Sequence, residues 1–208
     1  MKGNIFIIVA VLFLFAACGP VSVNKPDKPT TIADSTSQVK AETVVQPAPD
    51  STMLAYGSLY FGMKKAEVER KNEPRQKLGK YEYGFDYSFN GDSALYRVTI
   101  KSNGVKVIGY DTDLIAYYRN LAQIVETRYG KPAEHSGLPS VFDVQNSGRF
   151  LIDRWSQGSK QIDIVFKENA LNSYSVLCEI THNPMAEAET VRLRNIKNKD
   201  VNEAAKKF

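Results

Sequence analysis

Residues Tyr81 to Phe89 read YEYGFDYSF, and this stretch constrains the fold more than any other. Successive side chains of a strand point to opposite faces, so Tyr81, Tyr83, Phe85, Tyr87 and Phe89 share one face, with Glu82, Gly84, Asp86 and Ser88 on the other. The chain must therefore build a sheet with an aromatic face. Asn90-Gly91 turns the chain, since both residues tolerate positive φ, and ALYRVTIKS returns. Asn103-Gly104 is expected to turn it again into a third strand, VKVIGY. A second set follows: RFLIDRW, a turn at Gln157-Gly158, QIDIVFKE, a loop through Asn169 to Asn172, and YSVLCEI.

Helical spacing precedes each set. In DTDLIAYYRNLAQIVETRYGKP, Leu114, Tyr117, Tyr118, Leu121, Ile124 and Val125 recur at i, i+3, i+4 and i+7, which places them on one helix face. Thr112 or Asp113 is expected to cap its first turn, Gly130 to close its last, and Pro132 to stop it. A shorter helix is expected after Gly62 in FGMKKAEVERKNEP, with Met63, Ala66 and Val68 inward and Pro74 ending it. The order helix, three strands, helix, three strands predicts an α+β fold. Its antiparallel sheet is built from two helix-plus-three-strand units, with the helices packed on the sheet. Leu121 and Ile124 are expected to be buried against that sheet.

The N-terminal quarter has a different character. Lys2 precedes an apolar run from Ile5 to Ala17, roughly 13 residues, which suits a secretory signal and is short of the about 20 that a membrane-spanning helix needs. Leu14-Phe15-Ala16-Ala17-Cys18 resembles the lipobox of bacterial lipoproteins, although Phe15 departs from the usual aliphatic residue. That resemblance implies cleavage before Cys18 and its lipidation, and acyl chains add about 0.8 kcal/mol of membrane affinity per buried methylene. From Gly19 to about Ser51 the chain is rich in Pro, Ser, Thr and mixed charge, with no aromatic residue. Such a segment reads as a disordered tether with a reach of about 30 Å. The expected organisation is a lipoprotein signal peptide at 1–17, the lipidated cysteine and tether at 18–52, an α+β domain at 53–184, and a charged, marginally helical tail at 185–208.

YFGMKKAEVERK resembles the opening Gly-Met-x-x-x-Glu-Val helix of small envelope lipoproteins, with Lys64 in place of a Ser or Thr cap. YGKP followed by RWSQGSKQIDIVFKE resembles the matching second half. The chain is similar in this to Bacteroidales-type lipoproteins and, more distantly, to the SmpA/OmlA and beta-lactamase-inhibitor-protein-like folds. The resemblance implies a lipid-anchored protein of the bacterial outer membrane with a binding domain of antiparallel sheet and helices. It implies no catalytic residue.

The chemistry-bearing residues are few. The chain has two cysteines and two histidines among 208 residues. Lipidation would consume Cys18 and leave Cys178 without a disulfide partner, and Cys178 sits in an alternating apolar stretch where cysteine behaves as a small hydrophobe. Cys178, His182 and His135 are the best metal-ligand candidates. Four residues along a strand span about 13 Å, too far for Cys178 and His182 to share an ion held at roughly 2 Å. No metal or cofactor is therefore assigned. Asp153 and Asp163 flank the Gln157-Gly158 turn and could approach each other as a catalytic pair, but charges beside a hairpin usually form a solvated face. No nucleophile elbow, phosphate loop or zinc motif is present. Lys and Arg total 27 against 23 Asp and Glu, a balance that does not argue for nucleic acid.

Two readings of the aromatic stripe stay open. Tyr81, Tyr83 and Tyr87 would make a platform for sugar or protein if exposed. Five rings on one face exceed what a solvated surface tolerates, which favours core, and Trp155 meets the same choice. Tyr56, Tyr60, Arg149 and Arg154 are candidate interface residues of the types that dominate protein contacts. Arg192, Arg194, Lys197 and Lys199 in the tail suit contact with anionic lipid or a partner. The expected role is non-enzymatic binding of another cell-envelope component, a protein partner ahead of a carbohydrate, with a hydrolase third.

Overall fold

A computed structural model describes residues 51–169 and 172–206. The signal segment, Cys18 and the tether as far as residue 50 lie outside the described residues, as does part of the loop through Asn169 to Asn172. A small hairpin comes first, β1 (Leu54–Tyr56) with β2 (Leu59–Tyr60). Helix α1 (Lys65–Lys71) follows, with Lys64 at its N-cap making no side-chain cap. Val68 is fully buried, whereas Ala66, expected inward, is exposed. The helix ends at Lys71, before Pro74, because the residue preceding a proline is pushed out of the helical region.

Four strands come next: β3 (Arg75–Leu78), β4 (Tyr81–Phe89), β5 (Leu95–Lys101) and β6 (Val105–Lys106). Strand β3 is polar and lies at the sheet edge, and no apolar alternation announces it. The turn after β4 is present, but its left-handed residue is Ser93 (φ 58) rather than Asn90 or Gly91. The Asn90 side chain instead accepts from the amides of Asp92 and Ala94. Gly91 serves close approach, since a Cβ there would lie 2.7 Å from Arg192 Nε.

The expected turn at Asn103-Gly104 is a correction. Lys101 pairs with Leu177 and Val105 with Tyr174, so the three residues between them on one side oppose two on the other. That is a bulge, through which β5 continues as β6 in the same direction. The third expected strand, VKVIGY, stops at Lys106, because its partner strand begins at Ser173 and nothing remains to pair with. The chain winds instead into a 3-10 turn (Val107–Gly109), a π turn (Tyr110–Leu114) and helix α2 (Ile115–Tyr129). Neither Thr112 nor Asp113 caps α2: the helical winding already begins at Val107, and the Thr112 hydroxyl donates back to the Gly109 carbonyl. Gly130 closes α2 at φ +77, its amide donating to Glu126.

Then come β7 (Glu134–His135), helix α3 (Val141–Ser147), β8 (Arg149–Gln157), β9 (Lys160–Asn169), β10 (Ser173–His182) and helix α4 (Asn183–Ala205). Helix α3 has a capping box between Ser140 and Asp143 and a left-handed Gly148 after it. The tail is one continuous helix, with Pro184 in its first turn. Among the described residues, no helix is long and apolar enough to cross a membrane.

The main sheet is antiparallel throughout, in the order β3-β4-β5-β10-β9-β8-β7, with β6 also on β10. The fold is α+β with helices packed on the sheet. Each half supplies a three-strand meander, β3-β4-β5 and β8-β9-β10, and the two last strands pair at the centre. Register carries rows of side chains across the whole sheet. Tyr87, Val98, Ile180, Ile162 and Trp155 form one inner row, and Phe85, Ile100, Cys178, Ile164 and Asp153 the next. The alternate row, Asp86, Thr99, Glu179, Asp163 and Arg154, lies on the outer face. Helix α2 covers the inner face, where Tyr83 meets Tyr117 edge-on and Tyr118 meets Phe166.

Candidate functional site

Leu121, Ile124 and Val125 of α2 do not close down fully on the sheet. Between them and Ile100, Cys178, Ile180 and Ile162 of the inner face lies a cavity of about 280 Å³. Its third wall is the β1 segment, Leu54 to Gly57. The lining is apolar because these are the inward positions of alternating strands and of the helix stripe. Ile124 corrects the expectation of burial: it is 39% exposed and stands at the mouth. Leu121 is buried as expected, at 1%.

The polar groups of the cleft lie at its rim and are already engaged. The Tyr56 hydroxyl donates to Gln76 Oε1 at 3.2 Å. The Arg128 guanidinium is exposed and lies 5.6 Å from the centre of the Tyr129 ring. Lys160, 2% exposed, donates from Nζ to the carbonyls of Ser51 (2.9 Å) and Leu54 (3.3 Å) and to the Tyr129 hydroxyl (3.4 Å). It also sits 4.8 Å over the Tyr129 ring. This buried lysine therefore fastens the first described residues of the chain beside the cleft. On the floor, burial pushes the Cys178 thiol up to about 12, so it stays protonated and reacts slowly at neutral pH.

A second cluster lies further along α2. The Asp153 carboxylate, 2% exposed, accepts from the Tyr118 hydroxyl at 2.9 Å and meets His135 Nδ1 at 2.5 Å. Burial, then the Asp153 carboxylate, raise the Tyr118 hydroxyl far above its ordinary range. Asp163 is not part of this cluster. It pairs with Arg154 through two contacts, 2.9 and 3.1 Å, and accepts from Gln161. Asp153 and Asp163 point to opposite faces, because Asp163 pairs with Arg154 and Asp153 with Ile164. The two acids are thus not a catalytic pair.

The three metal-ligand candidates are likewise separated. Cys178 is in the inner-face core, His135 is on edge strand β7, and His182 ends β10 beside Phe61, its ring accepting from the Met185 amide. Among the described residues, no group of three His, Cys, Asp or Glu side chains is placed to hold a metal ion.

The aromatic stripe is core at its centre. Tyr83 and Phe85 are buried, and the Tyr83 hydroxyl donates to the Tyr117 carbonyl while accepting from Asn120. Tyr87 is half-buried, and its hydroxyl has no hydrogen-bond partner among the described residues. Tyr81 is also half-buried and packs on Tyr117 at 4.8 Å, at the edge of a shallower hollow of about 400 Å³. Asn103, Lys106, Ile108 and Asp113 complete that hollow. Trp155 is buried, its Nε1 donating to the Gly130 carbonyl at 2.8 Å.

The remaining candidates are mostly engaged. Tyr60 is half-buried in β2, Arg149 pairs with Glu179 and Arg154 with Asp163 and Glu134. In the tail, Arg192 is held by Glu189, which also accepts from the Gly91 amide. Sequence reasoning missed the cleft because Leu54 to Gly57 carry no periodic signal. It missed the Tyr118–Asp153–His135 cluster because its members are 35 and 18 residues apart. Comparison with family models, with curated proteins and with solved structures returned no match.

Proposed function

We propose that this chain is a lipid-anchored protein of a bacterial outer membrane, attached through Cys18, whose domain binds another envelope component without turning it over. The observation that carries the reading is the apolar cleft between α2 and the inner face. A well-formed apolar cavity with engaged polar groups at its rim suits a binding site. The candidate acids and histidines are tied to partners within the fold, as in Asp153 with Tyr118 and His135 and Asp163 with Arg154, which favours binding over acid–base chemistry. The component reaches the cleft through the mouth at Ile124.

Two experiments test this. Mass spectrometry of the mature protein should find a lipid-modified N-terminus at Cys18, and an unlipidated terminus further along the chain would remove the anchor. A photo-crosslinking residue placed at Ile124 should give a discrete adduct in intact cells, while the same residue at Arg149 on the outer face should not. Equal yields at both positions would count against the cleft.

A carbohydrate-binding role is the second reading. The hollow beside Tyr81 and Tyr117, with the Asn103 amide at its wall, favours it, because sugars pack on aromatic faces and hydrogen-bond to amides. Glycan binding lost in Asn103→Ala, with the thermal midpoint unchanged, would move this reading ahead of the first.

A further inference from the structure

The cleft beneath α2 has a shape, a lining and a rim charge that together narrow its ligand. Its helical wall runs from Leu121 to Tyr129, which at 1.5 Å per residue is about 12 Å. Its volume is about 280 Å³. An apolar cavity of about 150 Å³ is known to accept benzene, so this one has room for on the order of ten carbon atoms. Spread along the helical wall, that volume is about one methylene chain wide.

Along its length the walls are aliphatic: Leu121 and Val125 above, Ile100, Ile162 and Ile180 below. Among the described residues the polar side chains lining it are Tyr56, Arg128 and Tyr129 and the Cys178 thiol, a set poorly suited to orient a sugar, a nucleotide or a peptide backbone. Among the described residues lining the cleft, the cation that faces solvent is Arg128, one turn of α2 beyond Ile124 and beside the Tyr129 ring. Lys160 is directed away, to the carbonyls of Ser51 and Leu54. An apolar bore with a guanidinium at its edge matches a linear chain with an anionic head.

We infer that the cleft binds a single acyl chain, of roughly ten to twelve carbons within the cavity, whose carboxylate or phosphate head meets Arg128 at the mouth. This rests on the reading of the cleft as the binding site and names the ligand it takes. A branched or ring-bearing ligand would not follow the bore, and a cationic head would meet Arg128 as a like charge.

Cys178 on the floor supplies a direct readout. Its side chain is fully buried at the cleft, so a small maleimide labels it slowly and only when the walls around it open, which a ligand held between them opposes. The full chain carrying Cys18→Ser has Cys178 as its one thiol. Dodecanoate at ten times its Kd should slow Cys178 labelling about tenfold, the factor by which mass action lowers the unoccupied fraction. Dodecyltrimethylammonium should bind about fivefold more weakly, and Arg128→Gln should remove that preference, as expected for an exposed ion pair.

Ile124→Asp puts a carboxylate at the mouth on a side chain that is already 39% exposed, so the fold tolerates it. In that variant dodecanoate should no longer protect Cys178, while the thermal midpoint stays within a few degrees. Lysophosphatidylglycerol with a twelve-carbon chain separates the sources. Protection by dodecanoate alone assigns a free fatty acid, and protection by both assigns the chain of a membrane lipid. Labelling unaffected by either probe, or protection that survives Ile124→Asp, overturns the inference. If the probes fail while the Ile124 crosslinker still captures a protein, the acyl assignment falls and the binding reading stands.

Discussion

The two faces of the sheet use the same strands for opposite ends. On the inner face, Phe85, Ile100, Cys178 and Ile164 lie in one row and pack against α2 and one another. On the outer face, one residue out of step, Asp86, Thr99, Glu179, Asp163 and Arg154 lie in a row, and several are linked as ion pairs such as Arg154–Asp163 and Arg149–Glu179. The difference teaches where energy and function reside. Burial of apolar area on the inner face scales with the surface removed from water, whereas paired charges gain little over their hydration. The inner face is also where packing is left incomplete, beside β1, and that gap is the candidate site.

The comparison is sharpened most by Phe166→Ala. Phe166 is fully buried and touches the rings of Tyr110 and Tyr118, so its truncation should cost about 3–5 kcal/mol in denaturant unfolding. One buried charge on the inner face is Asp153, a carboxylate among apolar neighbours. Asp153→Ala leaves the Tyr118 hydroxyl and His135 without their acceptor and should cost about 1–3 kcal/mol. A loss no larger than that of an outer-face charge would break the distinction between the faces.

Alkaline pH probes the same interior without mutation. Burial holds Cys178, Tyr83 and Tyr87 at about 12 in the fold, above their ordinary values of 9.0, 10.0 and 10.0. The unfolded chain therefore releases these protons first, and stability falls as pH rises. It should be fully present below about pH 9 and decline steadily toward 12, read as thermal midpoints. Cys178→Val should delay the onset from about 9 to about 10, because the thiol is the group that ionises first in the unfolded state.

Smaller effects come from positions where the faces depart from their own rule. The Tyr87 hydroxyl is buried with no partner among the described residues, so Tyr87→Phe should stabilise the fold by about 1 kcal/mol. On the outer face, Arg149→Ala should change stability by about 1 kcal/mol or less, since Arg149 is exposed and its bond to Glu179 is screened.

Much of this division was legible before the structure. The alternation in YEYGFDYSF and QIDIVFKE placed the inner rows, and the spacing of Leu114, Leu121 and Val125 placed the helix over them. Strand β3 was hidden because an edge strand of Arg75, Gln76 and Lys77 needs no apolar face. VKVIGY was misread because its alternation is genuine but its partner runs out at Ser173. Helix α3 was not expected, although its Ser140-x-x-Asp143 box and the Gly148 that follows it are capping signals present in the sequence. The cleft was not legible, since it arises where a three-residue strand meets a fifteen-residue helix, and neither segment encodes that gap on its own.

The central claim is that the inner-face cleft is where this domain meets another envelope component. The most direct measurement is the rate at which Cys178 reacts with a small maleimide, in isolated envelopes carrying the native chain and in the purified Cys18→Ser chain. Occupancy of the cleft predicts slower labelling in the envelopes, with the difference removed by Ile124→Asp. Equal rates in both settings, or a difference that Ile124→Asp leaves intact, would contradict the account.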